Sequence, residues 1–286
     1  MNRLWYQTQA KIKQLLIGGT PQGSAVHPSS IAKLPQEVVE IVISYLIYDI
    51  RTLLACSTTC FSWYTAAAPH LHHTLTINGD CTQPSDWNHP WDRPLQISHQ
   101  LGLLPLVKQF RIRMGIADDA GFNSEWLNER NLCCFSALTN LQELGIDYLQ
   151  IPSFIPIIKK CFGHFSPTLR FLALKQPIGS CRQILYFIGL FPNLQDLKLQ
   201  YPFPRGEEDG AADTTLVPLS IPPLRGRLTL TCFTREELVK GMIAFFGGLR
   251  FRHMDLFRVK CVRLLLGACT ETLETLRLYP SDPYGE

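Results

Sequence analysis

Two cysteines and three histidines in one short stretch are the side chains best suited to bind a metal. Cys56 and Cys60 are followed by His70, His72 and His73. A structural zinc site needs four ligands, commonly supplied as two closely spaced pairs. Here the C-x3-C pair lies at helical spacing and no second CxxC-type pair completes a set. We therefore expect both sulfurs to pack as small apolar groups, and we expect neither a metal nor a cofactor.

Residues for catalysis are equally hard to assemble from the sequence. The chain contains no G-x-S-x-G, no H-E-x-x-H and no glycine-rich phosphate loop, the short motifs typical of hydrolases, metalloproteases and nucleotide-binding enzymes. A cysteine enzyme would need a cysteine with a partnered histidine, and sequence alone does not place such a pair. We expect a protein that is not an enzyme; a catalytic site hidden in the C-terminal part is the alternative.

The composition is that of a folded protein. With 46% hydrophobic and 18% charged residues, the 286-residue chain has enough apolar surface for one or two domains. A net charge of +3 without a Lys/Arg run argues against a nucleic-acid partner. Ten cysteines without a secretory signal indicate reduced thiols and a cytoplasmic or nuclear protein. No apolar run approaches the roughly 20 residues of a membrane span, so no membrane partner is expected.

The strongest helical pattern begins at Leu34-Pro35 and predicts a helix from Gln36 to Ile47. Proline suits a first helical position because the amide proton it lacks has no intrahelical acceptor there. At 100° per residue, the polar side chains fall in a wedge of roughly 60° and the apolar ones cover about 240°. A surface helix normally has an apolar stripe of about 100°. We therefore expect part of this helix to be buried against another protein.

Two shorter helices are predicted to follow. Asp49 is a candidate N-cap for the first of them. Thr58 or Thr59 is a candidate cap for the second, which Pro69 is expected to end. Three short helices in about 40 residues carry more apolar surface than an isolated unit of that size can hide.

These landmarks resemble the F-box, the motif that tethers substrate receptors to the Skp-type adaptor of Skp–cullin–F-box ubiquitin ligases. They are Leu34-Pro35 followed by Glu37, the apolar helix up to Leu46, Asp49 with Leu53-Leu54, and Cys60-x-x-Trp63. One departure is Phe61, where the family usually has a basic residue. The resemblance implies docking on a Skp-type adaptor, and through it on a cullin. The residues that it implicates are Leu34, Pro35, Val38, Ile41, Leu46, Leu53, Leu54 and Trp63.

A short strand-like pattern, apolar-x-x-apolar-x-apolar, recurs through the rest of the chain. Its central apolar positions are 22 to 35 residues apart, and several of these intervals fit the 20–29 residues of a leucine-rich repeat. The pattern resembles leucine-rich repeats, which implies a parallel sheet on the inner face of a curved solenoid. The central and final positions are Leu75/Ile77, Phe110/Ile112, Leu144/Ile146, Leu172/Leu174, Leu197/Leu199, Leu228/Leu230, Met254/Leu256 and Leu276/Leu278.

Helical patterns lie between these strands. One starts near Ser124, and others cover residues 153–162, 181–190 and 262–269. A capping box, Thr234-x-x-Glu237, opens a further helix that Gly247-Gly248 is expected to stop. Long loops are predicted over residues 78–93 and 201–223, the second with the acidic Glu207-Glu208-Asp209. Loops of this length in a repeat protein can form a binding face.

The outward-facing strand residues are the candidate substrate-binding surface. Side chains alternate between the two faces of a strand, so two columns face outward. Charge in both columns is mixed, which favours a protein partner over a nucleic acid. Four of these residues are candidate substrate contacts, with the aromatic pair as anchors: Arg113, Lys175, Phe257 and Tyr279.

The predicted organisation is therefore α/β in two parts. Residues 1–30 are a mobile leader, for which a transit peptide is the alternative; residues 31–73 are an F-box-like three-helix unit. Residues 74–286 are an irregular leucine-rich-repeat solenoid that lacks a polar C-terminal cap, so a truncated chain is an option. The predicted function is a substrate adaptor of a ubiquitin ligase, with an unknown protein substrate. The alternative is a repeat scaffold without a role in ubiquitin transfer.

Overall fold

The computed structural model describes residues 34–79, 98–114, 134–148, 162–164, 166–201, 203–204, 223–231 and 236–279. By their internal contacts, the residues form two compact units, Met1–Leu71 and His72–Glu286. The first unit is helical, and the second is built on a parallel sheet.

Three helices make up the described part of the first unit: α1 (Gln36–Tyr45), α2 (Ile50–Ser57) and α3 (Phe61–Leu71). Their mutual packing creates a small core, with partly buried side chains such as Trp63 against it. Small alanines on α3 let the helices approach closely. The fully buried members of this core are Val39, Ile43, Leu53, Ala66 and Ala67.

The threonines between α2 and α3 end the earlier helix. Thr58 donates from its backbone N–H (3.3 Å) and its hydroxyl (2.8 Å) to the carbonyl oxygen of Ala55. Thr59 donates its N–H to the carbonyl oxygen of Cys56, at 3.0 Å. The prediction that one of them caps the third helix is wrong, because both hydroxyls are used by the last turn of α2.

Pro69 does not end α3 as predicted, because the helix runs two residues further to Leu71. Proline has a helical φ and removes a single hydrogen bond from a last turn, so the chain continues. The predicted end of α1 was two residues late, since the helix stops at Tyr45 and Leu46 is its C-cap.

Eight parallel strands form a sheet in the described part of the second unit. Their order, β1-β2-β3-β4-β6-β8-β9-β10, follows the chain, and the two-residue strands β5 (Ile178–Gly179) and β7 (Phe203–Pro204) pair separately. This confirms the predicted parallel sheet and the strand pattern. The eight strands are β1 (Thr74–Gly79), β2 (Gln109–Met114), β3 (Glu143–Asp147), β4 (Phe171–Lys175), β6 (Asp196–Gln200), β8 (Leu224–Thr231), β9 (Leu249–Phe257) and β10 (Thr275–Tyr279).

The register joins the recurring apolar positions into straight columns across the sheet. Leu75 pairs with Phe110, and the column continues through every later central position to Leu276. Most side chains in this column are fully buried. Along β3, β4 and β6, buried and partly exposed residues alternate, as the two-residue period of a strand requires. At the last strand the pattern weakens: Leu278 is exposed on β10.

Five phenylalanines form a row within the core behind the strands. Neighbouring rings have centroids 5.4 to 6.2 Å apart, and three of the four pairs are edge-to-face. Such pairs add to the stability that area burial alone provides. The row consists of Phe110, Phe135, Phe162, Phe187 and Phe191.

In the described part of the sheet, four strands are followed directly by a non-glycine residue with left-handed backbone conformation. Their φ angles are 49° to 59°, a region that few side chains adopt. Each N–H donates to the carbonyl oxygen of the last residue of the next strand, at 2.7 to 3.2 Å. The same combination of positive φ and backbone hydrogen bond therefore turns the chain out of the sheet after each of these strands. The four residues are Tyr148, Gln176, Tyr201 and Arg258.

Helices α4 (Cys181–Gly189), α5 (Glu236–Phe245) and α6 (Val262–Cys269) lie where the sequence predicted them. Ser180 and Gln183 form a full capping box on α4. After α5, Gly248 donates its N–H to the carbonyl oxygen of Ile243 at 2.9 Å, which confirms the predicted glycine stop.

Several predictions fall on residues outside those described. These are the leader, the helix near 124, residues 153–161 of the helix predicted over 153–162, the capping residue Thr234, and most of both long loops. Of the first loop, Asn78 and Gly79 belong instead to β1. None of the helices in the described segments is long and apolar enough to cross a bilayer.

Candidate functional site

Helix α1 divides its wide apolar surface into two halves. Val39 and Ile43 are buried in the core of the three-helix unit. The side chains about half a turn away point to solvent, with 56% of Ile41 and 82% of Tyr45 exposed. Val38 and Val42 lie on the same exposed arc. The unit thus uses half of the apolar surface of α1 and leaves the other half open.

Further exposed apolar side chains lie in the turn after α1 and at the first residues of α2 and α3. Tyr48, between α1 and α2, is 94% exposed, and Phe61 at the start of α3 is also exposed. Among the described residues, nine of the twelve exposed large apolar side chains lie in this stretch. We call them the apolar face: Leu34, Val38, Ile41, Val42, Tyr45, Ile47, Tyr48, Ile50 and Phe61. A concentration of exposed large apolar side chains in one segment is characteristic of a protein interaction site.

The predicted adaptor-binding residues occupy three environments. Leu34, Pro35, Val38 and Ile41 are exposed; Leu46, Leu54 and Trp63 are partly buried. Leu53 is only 1% exposed and packs within the core of the unit. In this structure it supports the helices from inside and offers no surface of its own.

Sequence reasoning missed three of the most exposed members of the apolar face: Tyr45, Tyr48 and Phe61. In the sequence, Phe61 stands out only as a departure from the F-box pattern, at a position that is usually basic. The available signal was position: Tyr45 falls opposite the buried stripe of α1, and Tyr48 follows the end of the helix. Large aromatic side chains left in water commonly serve as anchors for a partner.

The start of α2 is fixed by Asp49, as predicted. Its carboxylate accepts a hydrogen bond from the Thr52 hydroxyl (2.6 Å) and another from the Thr52 N–H (3.2 Å). The hydroxyl hydrogen bond, followed by the N–H one, holds the pKa of Asp49 below its ordinary value of 3.8. A charged cap therefore orients α2, which carries Leu53 into the core and Ile50 onto the apolar face.

The family described as F-box-like matches residues 31–78. Those residues are an F-box-like domain. The matched segment contains α1, α2 and α3, the whole apolar face, and β1 as far as Asn78. No curated protein matches the chain.

In the second unit, the sheet register joins the first of the outward-facing columns predicted from the sequence and the second from Asp147 onward. One column runs from Arg111 through Gly145, Ala173 and Lys198 to Arg277. A shallow depression of about 310 Å³ lies over strands β2, β3, β4 and β6. Two of the predicted substrate contacts, Arg113 and Lys175, line it.

The other two predicted contacts form a separate feature. Phe257 on β9 and Tyr279 on β10 are register partners, and their rings stack with centroids 4.0 Å apart and planes at 2°. Neither lines the depression. The four candidates therefore divide into a basic group and an aromatic pair at the last two strands.

The cysteine and histidine cluster is not assembled as a site. Cys56 packs against the core of the helical unit, as predicted, whereas Cys60 is exposed, which contradicts its predicted packing. Burial lowers the pKa of His72 and so favours its neutral form. In the described segments, no three His, Cys, Asp or Glu side chains are grouped so as to hold a metal ion.

Proposed function

We propose that this protein is a non-catalytic substrate adaptor of a ubiquitin ligase, in which the apolar face of the F-box-like domain docks on a Skp-type subunit. The observation that carries the proposal is the exposed apolar arc of α1, from Val38 to Tyr45, together with Tyr48 and Phe61. Fully burying a side chain such as that of Ile41 or Phe61 in an interface contributes roughly 1.5–3 kcal/mol to the free energy of binding, relative to leaving it in water. A partner that covers this face supplies the burial that the three helices do not.

The second unit would act as the substrate receptor, and we propose that it is a leucine-rich-repeat solenoid. The sequential order of eight parallel strands supports this, since each repeat of such a protein contacts only its neighbours. Side-chain hydrogen bonds between successive turns also recur. The amide of Asn140 donates to the carbonyl oxygen of Pro105, and that of Asn193 to Pro167, each at 2.9 Å.

The proposed mechanism is proximity. A cullin scaffold bound through the Skp-type subunit would hold the charged carrier enzyme, and the sheet would hold the substrate nearby. Tethering raises the effective concentration of substrate lysines at the carrier, and this replaces a bimolecular encounter by an almost intramolecular one. A separate enzyme performs the transfer, without a catalytic group or a cofactor from this chain. We place the complex in the cytoplasm or nucleus, where thiols such as Cys60 stay reduced.

Co-purification of the full-length chain with a Skp-type subunit tests the docking step. We expect the wild-type chain to retain the subunit, and Ile41→Glu to reduce retention at least tenfold, because a charge would be buried in the interface. Leu34→Ala/Pro35→Ala is expected to reduce it as well. Glu40→Ala is the matched control, since Glu40 is exposed on the opposite side of α1 from Val42.

A repeat scaffold without a role in ubiquitin transfer is the competing function. It predicts that a chain with normal thermal unfolding fails to retain any Skp-type subunit, and that Ile41→Glu and Glu40→Ala behave alike. Retention of the subunit that is lost only in Ile41→Glu would reject the scaffold.

A further inference from the structure

The depression in the sheet has a floor of small residues. Gly145 on β3 and Ala173 on β4 are adjacent in one outward column, between Arg111 on β2 and Lys198 on β6. A Cβ placed on Gly145 would lie 3.5 Å from the Arg111 Cγ, so the aliphatic part of Arg111 lies beside the glycine. The absence of larger side chains at these two positions makes the surface concave at this place.

Positive charge predominates around this floor. Four basic residues line the depression, Arg111, Arg113, Lys175 and Lys198, against two carboxylates, Glu143 and Asp147. None of the four cations forms an ion pair with another described residue. The Lys175 ammonium lies 5.9 Å from the centre of the Tyr148 ring, within range of a weak cation–π attraction. The four cations are thus available to a ligand.

The cations are too widely spaced for one small anion. Arg111 and Lys198 are three strands apart, which is about 14 Å at the usual distance between neighbouring strands. An extended peptide that rises about 3.3 Å per residue covers this distance in four to five residues. Several carboxylates along such a peptide can meet the cations at both ends of the depression, whereas a single phosphate cannot.

We propose that this depression binds an acidic peptide segment of the substrate, with Asp and Glu carboxylates paired to Arg111, Arg113, Lys175 and Lys198. The inference rests on the proposed receptor role of the second unit and names the class of substrate that it takes. The excess of two positive charges among the lining side chains supplies the complementarity. The small floor lets the peptide backbone approach the sheet.

Fluorescence polarisation with the full-length chain and a labelled twelve-residue Asp/Glu-rich peptide tests the proposal. The matched probe is the same peptide with Asn and Gln in place of the acids. We expect only the acidic peptide to bind, with an affinity that falls as salt is raised. Two further probes, a neutral peptide with one phosphoserine and a short oligonucleotide, are expected to bind at least tenfold more weakly than the acidic peptide.

Two substitutions at Ala173 separate charge from shape. Ala173→Glu and Ala173→Gln add side chains of nearly equal size to the floor, and only the first adds a negative charge. We expect Ala173→Glu to weaken binding of the acidic peptide at least tenfold more than Ala173→Gln does.

The double variant Arg111→Glu/Lys198→Glu, which changes only the flanking cations, is expected to abolish binding of the acidic peptide. Its control is Arg225→Glu/Arg250→Glu, two exposed register partners outside the depression, for which less than threefold weakening is expected.

Each opposite result would overturn the inference. If Ala173→Glu and Ala173→Gln weaken peptide binding equally, the loss comes from the size of the new side chain and not from its charge. Tighter binding of the phosphoserine peptide or of the oligonucleotide would assign the surface to another ligand. Retention of the Skp-type subunit by the same variants keeps the two proposals distinguishable, because the depression can fail to bind while docking through Ile41 and Tyr45 persists. Thermal unfolding of each variant confirms that the sheet is intact.

Discussion

The rings of Phe257 and Tyr279 lie flat against each other across the last two strands of the sheet, with centroids 4.0 Å apart. They are direct register partners on β9 and β10, and Tyr279 keeps 41% of its surface exposed. Among the described strands, β10 pairs with β9 alone, so this stack is one of the contacts that hold β10 in place.

A double-mutant cycle measures that contact. Phe257→Ala, Tyr279→Ala and the double variant are expected to give a coupling free energy of about 0.5–1 kcal/mol in urea unfolding, typical of an aromatic pair. Tyr279→Phe retains the ring and serves as the control, with the coupling preserved. A coupling near zero would mean that the stack does not stabilise β10.

Glycine is required at position 226, where the register between β8 and β9 shifts. Its φ is +85°, and a Cβ there would lie 2.1 Å from the carbonyl oxygen of Gln195. Gly226→Ala is therefore expected to lower the free energy of unfolding by at least about 2 kcal/mol, since both the backbone strain and the clash oppose it. Denaturant titration provides the measurement.

Gly267 is the matched control for that substitution. It lies inside α6, and apart from its chain neighbours and the backbone of its own helix no atom would lie within 4 Å of a Cβ. Gly267→Ala should raise the free energy of unfolding by about 0.5–1 kcal/mol, because alanine has the higher helix propensity. Equal effects at the two glycines would contradict the assignment of strain to Gly226.

Leu53 and Ile41 are expected to act on different properties of the F-box-like domain. Leu53→Ala leaves a cavity in a core of five residues and should cost about 2–5 kcal/mol of stability. Ile41→Ser changes a side chain that is 56% exposed and should leave stability within about 0.5 kcal/mol. Retention of a Skp-type subunit should nevertheless fall at least tenfold in Ile41→Ser. Unchanged retention would remove Ile41 from the proposed interface.

The stabilising effect of Asp49 should depend on pH. Hydrogen bonds from Thr52 lower the pKa of this carboxyl in the folded chain. The charged cap therefore contributes its full stability above the ordinary value of 3.8, and the contribution is lost as pH falls through the lower folded-state pKa. The difference in melting temperature between wild type and Asp49→Ala should be largest near pH 7 and shrink below about pH 3.5. A difference that is constant with pH would rule out the ionised cap.

Periodicity was sufficient to predict the strands, their parallel order and most of their partners. An alternation of period two is a local property of the chain, and consecutive strands tend to be neighbours. The column from Leu75 to Leu276 could therefore be written down in advance. Local signals also gave the Asp49 cap, the end of α5 at Gly247-Gly248 and the bounds of α6.

The sequence did not reveal the left-handed residues at the strand ends. Tyr148, Gln176, Tyr201 and Arg258 are not residue types that favour positive φ. Each of them donates a backbone hydrogen bond to the next strand, and that hydrogen bond forms only when the next strand is in place. The prediction for Thr58 and Thr59 was wrong because a threonine between two helices can hydrogen-bond to the end of the first helix or to the start of the second.

By itself, the sequence determined that α1 has too much apolar surface, and that the outward columns of the sheet mix charge with small residues. Only the tertiary structure decided which half of α1 is buried, because that depends on where α2 and α3 bring Leu53, Ala66 and Ala67. It also decided where the cations gather. Arg111, Gly145, Ala173 and Lys198 are far apart in the chain, and a depression between them forms only when four strands lie side by side.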